Sequence, residues 1–283
     1  MTDYLPWLDA VLDRADELAA RHAGRGPGGA VEVVEVKPED SNQITTAADH
    51  AIGKMIVSAL DRDFPSHSVI EEETGVREGS GPVTWIIDPL DGTSNYAAGS
   101  PLYGAMLAAV DDRGLLAAGI TLPALGRRYL AQRGRGAFRD GVPVRTPACT
   151  GLEGRLVAYG MDKAEPERMA EDARLMTAVA AQCLGIRTSN SVFDAALVID
   201  GAYAGFVHRS CRIWDVAAPA CVLAEAGGAS TDLAGRPLDF RDPLSKADLV
   251  YEVILAADGA LEPLAELGRQ SAAPGRRTGP PTD

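Results

Sequence analysis

The sequence of 283 residues predicts an α+β fold with two lobes that share one site. A single hydrophobic core stops growing at about 250–300 residues, so a chain of this length suits two modest lobes. The first half shows short strands joined by tight turns, whereas strands and helices alternate after Gly151. We therefore predict an N-terminal α+β lobe over residues 1–150, a C-terminal α/β lobe over 151–270, and a disordered tail over 271–283, where little apolar surface is available.

Two amphipathic helices are predicted near the N-terminus. The first lies in residues 1–22, and its apolar residues recur at helical spacing: Leu8, Val11, Leu12, Ala15 and Leu18. The second follows Thr45 and Thr46 and carries Asp49 in its first turn. Its apolar face consists of Ala48, Ile52, Met55, Ile56, Ala59 and Leu60. Residues 24–29 predict a flexible loop, and the alternating valines after it predict a short strand that Lys37 closes.

Carboxylates follow two predicted strands at the point where each strand ends. Residues 68–70 form a short strand that ends in the acidic run of residues 71–73. The apolar residues 83–87 lead directly into Asp88. Pro89 lacks a backbone donor and is expected to stop the ladder there. Asp88, Asp91 and the carbonyl that the bend exposes at Leu90 offer oxygen ligands to a hard cation.

The same motif, DPLDGTSNY at residues 88–96, continues into a predicted helix. Gly92 and Thr93 offer unpaired amides at the start of this helix, which runs through Asn95 and Tyr96. The helix dipole and these amides favour a bound phosphate. Asp-Pro and Asp-Gly pairs are also ordinary turn and N-cap sequences, so the motif alone leaves both interpretations open.

The rest of the chain supplies the predicted sheets and helices. Hairpins are predicted over residues 102–121 and 127–138. The second lobe is predicted to contain strands at residues 156–159 and 202–207 and helices at 165–184 and 192–199. A further helix begins around Trp214 and Asp215 and ends at Gly227 and Gly228, and Pro219 is expected to be tolerated near its start.

The net charge of −13 restricts the classes of partner. Nucleic acids and anionic membranes would be repelled, because no basic patch is evident in the sequence. An acidic chain that handles an anionic substrate would instead need metal ions to reverse the local charge. The four cysteines form no CxxC pair and are predicted to be reduced and mostly buried: Cys149, Cys183, Cys211 and Cys221. The absence of a signal-like start and of a long apolar run predicts a cytoplasmic protein.

Four separated segments together resemble the inositol monophosphatase family in order and spacing. They are Asp49, Glu72 with Glu73, DPLDGT from Asp88, and WDVAAPACVLAEAGG from Trp214. The resemblance extends over nearly the whole chain and includes GRGAF at residues 134–138. It implies a layered α-β-α-β-α sugar-phosphatase-like fold and a lithium-sensitive, Mg²⁺-dependent phosphatase.

The resemblance also implies a metal site with two or three Mg²⁺ ions. Glu72, Asp88 and the carbonyl of Leu90 would hold the first ion, and Asp88, Asp91 and Asp215 would surround the second. The chemistry agrees, since hydrolysis of a phosphate ester needs neutralised phosphoryl oxygens and an activated water, which paired metals supply. Glu72 is favoured as the ligand within the acidic run, because residues 69–71 precede two acids that Thr74 and Gly75 follow. Glu71 fills a position where the family usually carries a small residue.

The implied catalytic residues are Thr93, Asp49 and Glu72. Thr93 would orient the attacking water, with Asp49 behind it as an acceptor and Glu72 helping to deprotonate the water through a metal. Asp91 and the amides of Gly92 and Thr93 would contact the substrate. Trp214 is expected to be structural. Lys37 matches a family lysine near the site, although a lysine at a strand edge is an equally good explanation.

Two departures from the family pattern, and one match to it at Asn95 and Tyr96, concern the substrate. His208 takes the place of a glutamate that accepts hydrogen bonds from substrate hydroxyls, and Arg209 beside it would favour an anionic or acceptor-rich group. His208 would alternatively cap a strand without touching a ligand. The residues Ser189, Asn190 and Ser191 replace a glycine-rich turn and are expected either to contact substrate hydroxyls or to cap a helix. Asn95 and Tyr96 weigh against a nucleotide substrate.

The sequence therefore predicts a phosphomonoesterase for a small polyol, cyclitol or sugar phosphate that uses metal-activated water. Alternatives within the superfamily are phosphatases for histidinol phosphate, fructose bisphosphate or 3'(2'),5'-bisphosphate nucleotides. Haloacid dehalogenases are disfavoured, because their two acids lie two residues apart and here Asp88 and Asp91 lie three apart. An alternative of another class is a non-catalytic metal-binding or regulatory protein. The expected partner is a small phosphorylated substrate, without nucleic acid or membrane, and a homodimer is possible by family resemblance.

Overall fold

The computed structural model describes residues 2–24, 31, 33–36 and 44–271. Lys37, the predicted loop beyond Gly24 and the tail from residue 272 lie outside these described residues. The described helices are α1 (Leu5–His22), α2 (Ala47–Asp63), α3 (Thr93–Ala97), α4 (Pro166–Ala180), α5 (Val192–Ile199), α6 (Ile213–Ala226) and α7 (Leu261–Ser271). Ser271, placed in the predicted tail, is the last residue of α7.

The strands form one small and two larger sheets. The N-terminal half contains β1 (Val33–Val36), β2 (Ile44–Thr46), β3 (Ser68–Glu71), β4 (Gly75–Arg77), β5 (Thr84–Asp91), β6 (Gly104–Asp111), β7 (Gly114–Leu122), β8 (Arg127–Gln132), β9 (Gly136–Arg139) and β10 (Val142–Val144). The C-terminal half contains β11 (Leu156–Gly160), β12 (Gly185–Arg187), β13 (Tyr203–Cys211), β14 (Ala229–Thr231) and β15 (Tyr251–Ala256).

The two larger sheets differ in strand direction. The eight-stranded sheet has the order β10-β9-β8-β7-β6-β5-β3-β4, and its neighbours are antiparallel except for the parallel pair of β3 and β5. The five-stranded sheet has the order β12-β11-β13-β15-β14 and is parallel over its first three strands. Strands β1 and β2 form a separate antiparallel pair.

The elements stack in five layers. Helices α1 and α2 cover one face of the eight-stranded sheet, α5 and α6 lie between the two larger sheets, and α4 and α7 cover the far face of the five-stranded sheet. The alternation of side chains along β6 shows how this arises. Met106, Ala108 and Val110 pack in the middle core, whereas the intervening residues pack against α1 and α2. The predicted layered α+β fold is confirmed.

Local sequence explains why the first two helices form. The apolar stripe of α1 is buried as predicted except at Leu18, which is half-buried, and Ala19 joins the buried face. Every apolar residue predicted for the inner face of α2 is buried. Thr46 caps α2: its hydroxyl accepts a hydrogen bond from an amide of the first turn, and Asp49 accepts one from the Thr46 amide. None of the helices in the described part of the chain has both the length and the apolar character that a membrane span requires.

Several predicted boundaries were wrong. Helix α4 ends at Ala180 instead of continuing to residue 184, because the chain turns there to add β12 beside β11. Strand β13 continues to Cys211, where its pairing with β15 supports it. Pro219 is the seventh residue of α6 and lies inside the helix, not near its start. Sequence patterns did not indicate α7 or the strands β2, β4, β10, β12, β14 and β15.

The prediction that Pro89 stops the ladder was also wrong. Strand β5 continues through Pro89 to Asp91, and its register against β6 shifts between Asp88 and Asp91. A proline is tolerated at such an irregularity, because a bulge leaves one residue without a ladder hydrogen bond. Residue 150 falls between the last strand of the eight-stranded sheet and the first strand of the five-stranded sheet. The division into two domains there stays a prediction.

Ile56 tests the packing of α2 on the eight-stranded sheet. The side chain is fully buried in the core that α1 and α2 share with this sheet. We expect Ile56→Ala to lower the free energy of unfolding by about 2–5 kcal/mol, because it leaves a cavity in a packed interior. Val142→Ala is the matched control, since Val142 is 65% exposed, and should change it by no more than about 0.5 kcal/mol. Urea denaturation of both variants measures the difference, and equal destabilisation would contradict the layer assignment.

Candidate active site

The parallel pair of β3 and β5 brings two carboxylates together at one edge of the sheet. Glu71 at the end of β3 lies opposite Ile87 of β5, so the residues that follow, Glu72 and Asp88, lie side by side at the same level. The amide of Glu72 donates a hydrogen bond to the carbonyl of Ile87 at 3.2 Å. Parallel strands end at a common edge, and this places both acidic residues at one site.

Three aspartates form a cluster beside this edge. Asp88, Asp91 and Asp215 each offer a carboxylate oxygen, and these oxygens all lie within 4.8 Å of one another. The irregularity of β5 turns Asp91 back toward Asp88, and Asp215 arrives from the first turn of α6. Glu72 lines the same cavity, and so does Leu90. The residues predicted as metal ligands are therefore brought together around one space.

Backbone amides hold each carboxylate of the cluster. Asp88 accepts a hydrogen bond from the amide of Leu90 at 3.0 Å. Asp91 accepts one from the amide of Val192, in the first turn of α5, and Asp215 accepts one from the amide of Arg212 just before α6. Amides at helix N-termini favour negative charge, so α5 and α6 stabilise two of the three carboxylates from the middle layer.

The electrostatics of the cluster favour the binding of a cation. Burial, followed by the charge of Glu72, raises the pKa of Asp215 to about 8. Burial also raises the pKa of Asp91 to about 7, and burial together with Glu72, Asp91 and Asp215 raises that of Asp88 well above its ordinary value. Among the described residues, no lysine or arginine lines the cavity. Hard carboxylate and carbonyl oxygens packed this way suit a divalent cation such as Mg²⁺, so the residues present fit a metal site.

Thr93 and Asp49 form a hydrogen-bonded pair beside the carboxylate cluster. The Thr93 Oγ1 atom lies 3.0 Å from Asp49 Oδ1 and 2.8 Å from the carbonyl oxygen of Leu90. Asp49 is buried, and its other oxygen accepts hydrogen bonds from the amide and hydroxyl of Thr46. Burial is the largest influence and raises the pKa of Asp49, although Thr46 and Thr93 oppose it. Thr93 and Asp49, two of the three predicted catalytic residues, thus lie beside the carboxylate cluster.

Gly92 allows the close turn between the cluster and α3. Its φ of 79° lies in the left-handed region, which favours glycine. A Cβ at this position would lie 2.9 Å from both the carbonyl oxygen of Leu102 and the side chain of Ser191. Gly92, Thr93 and Ser94 line the cavity of the carboxylates, where the sequence predicts phosphate binding.

The three glutamates of the acidic run at residues 71–73 make different contacts. Glu71 is buried, and its Oε2 atom accepts a hydrogen bond from the amide of Thr74 at 2.7 Å. The Glu71 carboxylate lies against α2, where a Cβ on Gly53 would come within 2.8 Å of its Oε1 atom. Glu73 accepts a hydrogen bond from the hydroxyl of Thr45 at 3.2 Å. Only Glu72 of the run lines the cavity, as the sequence predicts.

Asn95 and Tyr96 have structural contacts. The Asn95 side-chain amide donates to the carbonyls of Leu102 and Ser189 at 2.9 and 2.8 Å. The hydroxyl of Tyr96 is buried and donates to the carbonyl of Ala19 in α1 at 2.7 Å. These bonds fix α3 between the two halves of the chain. Trp214 packs partly buried against the middle core, in agreement with its predicted structural role.

A second cavity adjoins the carboxylates and contains His208, Asn190 and Ser191. His208 Nε2 lies 2.8 Å from Asp162 Oδ2, and the Asn190 side chain donates to Asp162 Oδ1 at 2.6 Å. Ser191 caps α5, because its hydroxyl oxygen accepts from the amide of Phe193 at 3.4 Å. Of the two uses expected for residues 189–191, capping is therefore visible at Ser191.

His208 and Asp162 stabilise each other as an ion pair. Burial lowers the pKa of His208, but the Asp162 hydrogen bond and charge, with Asp215 and Asp91, raise it above its ordinary value overall. Burial raises the pKa of Asp162, and the His208 hydrogen bond and charge outweigh this and lower it. Asp162 was not predicted from the sequence. A sequence feature that could have identified it is its position just after the strand at residues 156–160, since Asp88 was identified by following a predicted strand.

The expectation that Arg209 would face an anionic group of the substrate was wrong. Successive residues of a strand point to opposite faces, so Arg209 points away from the cavity that His208 lines. Its buried guanidinium contacts Glu171 at 3.1 Å, Asp172 at 3.5 Å and Glu252 at 3.2 Å. Arg209 therefore neutralises carboxylates beneath α4.

The sequence model of the inositol monophosphatase family matches residues 10–264. The chain belongs to this family. Its relatives include two proteins named Nus factor SuhB. The one from Pseudomonas aeruginosa is 33% identical over 226 residues, covering 77% of this chain and 83% of that protein. The one from Escherichia coli is 30% identical over 206 residues, covering 72% and 77%.

Solved structures of family members have the same fold. An IMPase from Thermotoga maritima superposes with a TM-score of 0.82 at 25% identity, covering 95% of this chain and 98% of that one. The extragenic suppressor protein SuhB from Bartonella henselae gives a TM-score of 0.82 at 25% identity, covering 95% and 99%. The layered fold of the inositol monophosphatase family is thus present over nearly the whole chain, including every segment that forms the carboxylate cluster.

Arg209→Met tests whether this arginine acts on stability or on the substrate. We expect the free energy of unfolding to fall by about 3–5 kcal/mol, because the variant removes a buried guanidinium from a cluster of charged side chains and leaves their negative charge uncompensated. Arg174→Met, on the exposed face of α4, should change it by no more than about 0.5 kcal/mol. Urea denaturation measures both values. A stable Arg209→Met variant with an increased KM would instead support contact with the substrate.

Proposed function

We propose that this chain is a divalent-metal-dependent phosphomonoesterase that hydrolyses a small polyol, cyclitol or sugar phosphate. The observation that carries this proposal is that the three-aspartate cluster shares one cavity with Thr93, whose hydroxyl is hydrogen-bonded to the buried Asp49 behind it. Family membership supports the same reaction class. A site that only held a structural cation would have no use for a hydroxyl backed by a buried carboxylate.

The proposed metal ligands are Glu72, Asp88, Asp91, Asp215 and the carbonyl of Leu90. Bound Mg²⁺ would supply positive charge that neutralises the phosphoryl oxygens and lowers the pKa of the attacking water. Two or three ions are proposed from the family resemblance. The protein side of the site is already arranged for this purpose, since backbone amides fix the three aspartates before any substrate binds.

The remaining residues orient the water and the phosphate. When Thr93 Oγ1 donates its proton to Asp49 Oδ1, its lone pairs are free to accept a hydrogen bond from the attacking water. Asp49 stays fixed because Thr46 holds its other oxygen. Glu72 is the proposed acceptor of the proton that the water releases, and the amides of Gly92 and Thr93 are proposed to bind the phosphate.

A second candidate function is supported by the names of the relatives. Proteins called Nus factor SuhB are at least 30% identical to this chain, and that name does not describe phosphate hydrolysis. A regulatory role without turnover is therefore the alternative proposal. The net charge of −13 disfavours direct contact with nucleic-acid phosphates, so such a role would use a protein partner. Turnover of any phosphomonoester separates the two proposals.

Asp215→Asn tests the proposed chemistry. Phosphate release is measured from inositol phosphates, sugar phosphates, histidinol phosphate, fructose bisphosphate and adenosine bisphosphate, with Mg²⁺ and with a chelator. We expect activity that requires Mg²⁺ and is inhibited by lithium. Asp215→Asn should lower kcat by more than about 100-fold, since even outer partners of metal ligands contribute about 10- to 100-fold.

The control for this experiment is Asp112→Asn, which removes an exposed carboxylate in the turn between β6 and β7. Its kcat should equal that of the unmodified protein. Circular dichroism of both variants verifies that the fold is intact. Equal activity of Asp215→Asn and Asp112→Asn would rule out the proposed metal site.

Thr93 provides a separate test of water orientation. Thr93→Val removes the hydroxyl and keeps the shape of the side chain, so kcat should fall about 10²- to 10⁴-fold while KM changes little. Thr93→Ser keeps the hydroxyl and should retain most of the activity. Steady-state kinetics at saturating Mg²⁺ measure both variants. A Thr93→Val variant as active as Thr93→Ser would show that the hydroxyl has no catalytic role.

A further inference from the structure

The leaving-group side of the proposed site has a wall built around Asp162. Strands β11 and β13 are parallel neighbours, and Gly160 lies opposite His208 where they end. A Cβ on Gly160 would lie 2.6 Å from the imidazole ring, so the glycine lets the ring extend over β11. His208 thereby reaches Asp162, in the loop that follows β11.

Two elements hold the Asp162 carboxylate in place. His208 lies 2.8 Å from its Oδ2 atom, and the side-chain amide of Asn190 donates to its Oδ1 atom at 2.6 Å. Asn190 in turn accepts a hydrogen bond from the amide of Met161 at 2.9 Å. The carboxylate is therefore bound from β13 on one side and from the loop before α5 on the other.

Asn190 is itself fixed in an uncommon conformation. Its φ of 56° lies in the left-handed region, where asparagine is tolerated better than most residues. The fully buried Asp194 holds it there by accepting hydrogen bonds from the amides of Ser189 and Asn190, each at 3.1 Å. A network of this kind gives the Asp162 carboxylate a defined direction before a ligand arrives.

Asp162 keeps the capacity to bind a ligand. An ionised carboxylate has about four acceptor positions, and the two contacts with His208 and Asn190 use two of them. The side chain is 36% exposed and lines both the cavity of the metal cluster and the adjoining cavity of His208. It can therefore accept hydrogen bonds from a molecule that enters from the metal side.

The negative charge around Asp162 determines which substrate groups can bind beside it. In the part of the chain that the structure describes, neither cavity has a lysine or arginine in its lining. His208 is the one basic side chain there, and it is engaged by Asp162. A second anionic group on the substrate would find carboxylates on this side and no matching cation, whereas a hydroxyl or ammonium group would find an acceptor.

We propose that Asp162 is a specificity-determining residue that accepts a hydrogen bond from the alcohol part of the substrate. It selects phosphomonoesters whose leaving alcohol carries a further hydrogen-bond donor, a hydroxyl or an ammonium group, and it disfavours a second phosphate. This inference rests on the proposed phosphatase function and deepens it. Because His208 and Asn190 already bind the carboxylate, they act as positioning residues for Asp162.

The test compares substrates with and without a donor on the leaving group. Inositol phosphate and histidinol phosphate carry such donors, and 4-nitrophenyl phosphate carries none. The readout is the ratio of kcat/KM for each donor-bearing substrate to that for 4-nitrophenyl phosphate. Asp162→Ala should lower this ratio about 10- to 100-fold, the range expected for loss of one hydrogen bond to a charged group. Glu165→Ala, which removes an exposed carboxylate three residues away, should leave the ratio unchanged.

Asp162→Asn keeps the shape of the side chain and separates the two possible donors. A larger loss with histidinol phosphate identifies an ammonium donor, and a larger loss with inositol phosphate identifies a hydroxyl donor. Either result supports the proposal. In the unmodified protein, fructose 1-phosphate should be hydrolysed with a higher kcat/KM than fructose 1,6-bisphosphate, and the reverse preference would overturn the proposed charge selection.

Two further results would overturn the role of Asp162. The first is an unchanged ratio in both Asp162 variants. The second is an equal loss with all substrates, which would mark the residue as structural. Failure of the proposed function has a different signature, because the unmodified protein would then hydrolyse none of these esters, 4-nitrophenyl phosphate included.

Discussion

The repulsion among buried carboxylates is the constraint on which the rest of the structure depends. Carboxylate oxygens of Asp88, Asp91 and Asp215 lie within 4.8 Å of one another, and burial, followed by neighbouring negative charges such as that of Glu72, raises the pKa of each. Such a cluster destabilises the isolated chain. It persists because neighbouring elements stabilise each carboxylate separately: the bulge of β5, the amide of Val192 and the amide of Arg212.

This constraint also explains the order of elements around the site. Strands β3 and β5 form the one parallel pair of the eight-stranded sheet, and only a parallel pair ends with two carboxyl edges side by side. The helices α5 and α6 begin at the same edge, so their N-termini point at the acids that the strands deliver. The edge of the sheet therefore supplies negative carboxylates, and the N-termini of the two helices supply partial positive charge at the same site.

The sequence was sufficient for features that depend on short-range patterns. The apolar residues of α2 predict which face of the helix is buried, because the helical period places each residue on a known side. Thr46 and Asp49 predict where the helix begins. The ligand set of the cluster came from the family resemblance, and the structure brings those residues together.

Features that depend on distant neighbours were missed. Arg209 was assigned to the wrong face of β13, because the strand was predicted to end at residue 207 and not at Cys211. Asp162 acquires its role only through His208 and Asn190, which no local pattern connects to it.

The position of α5 and α6 between the two larger sheets has a consequence for motion. Apolar side chains of both helices and both sheets interlock in a continuous core, in which Ala217 and Ala218 of α6 are among the buried residues. Rotation of one sheet against the other would separate these close-packed surfaces and expose them to water. Opening and closing by a hinge through this layer is therefore strongly resisted. The distance between the acids of β5 and the His208 side chain on β13 is consequently held constant by the packing of the middle layer.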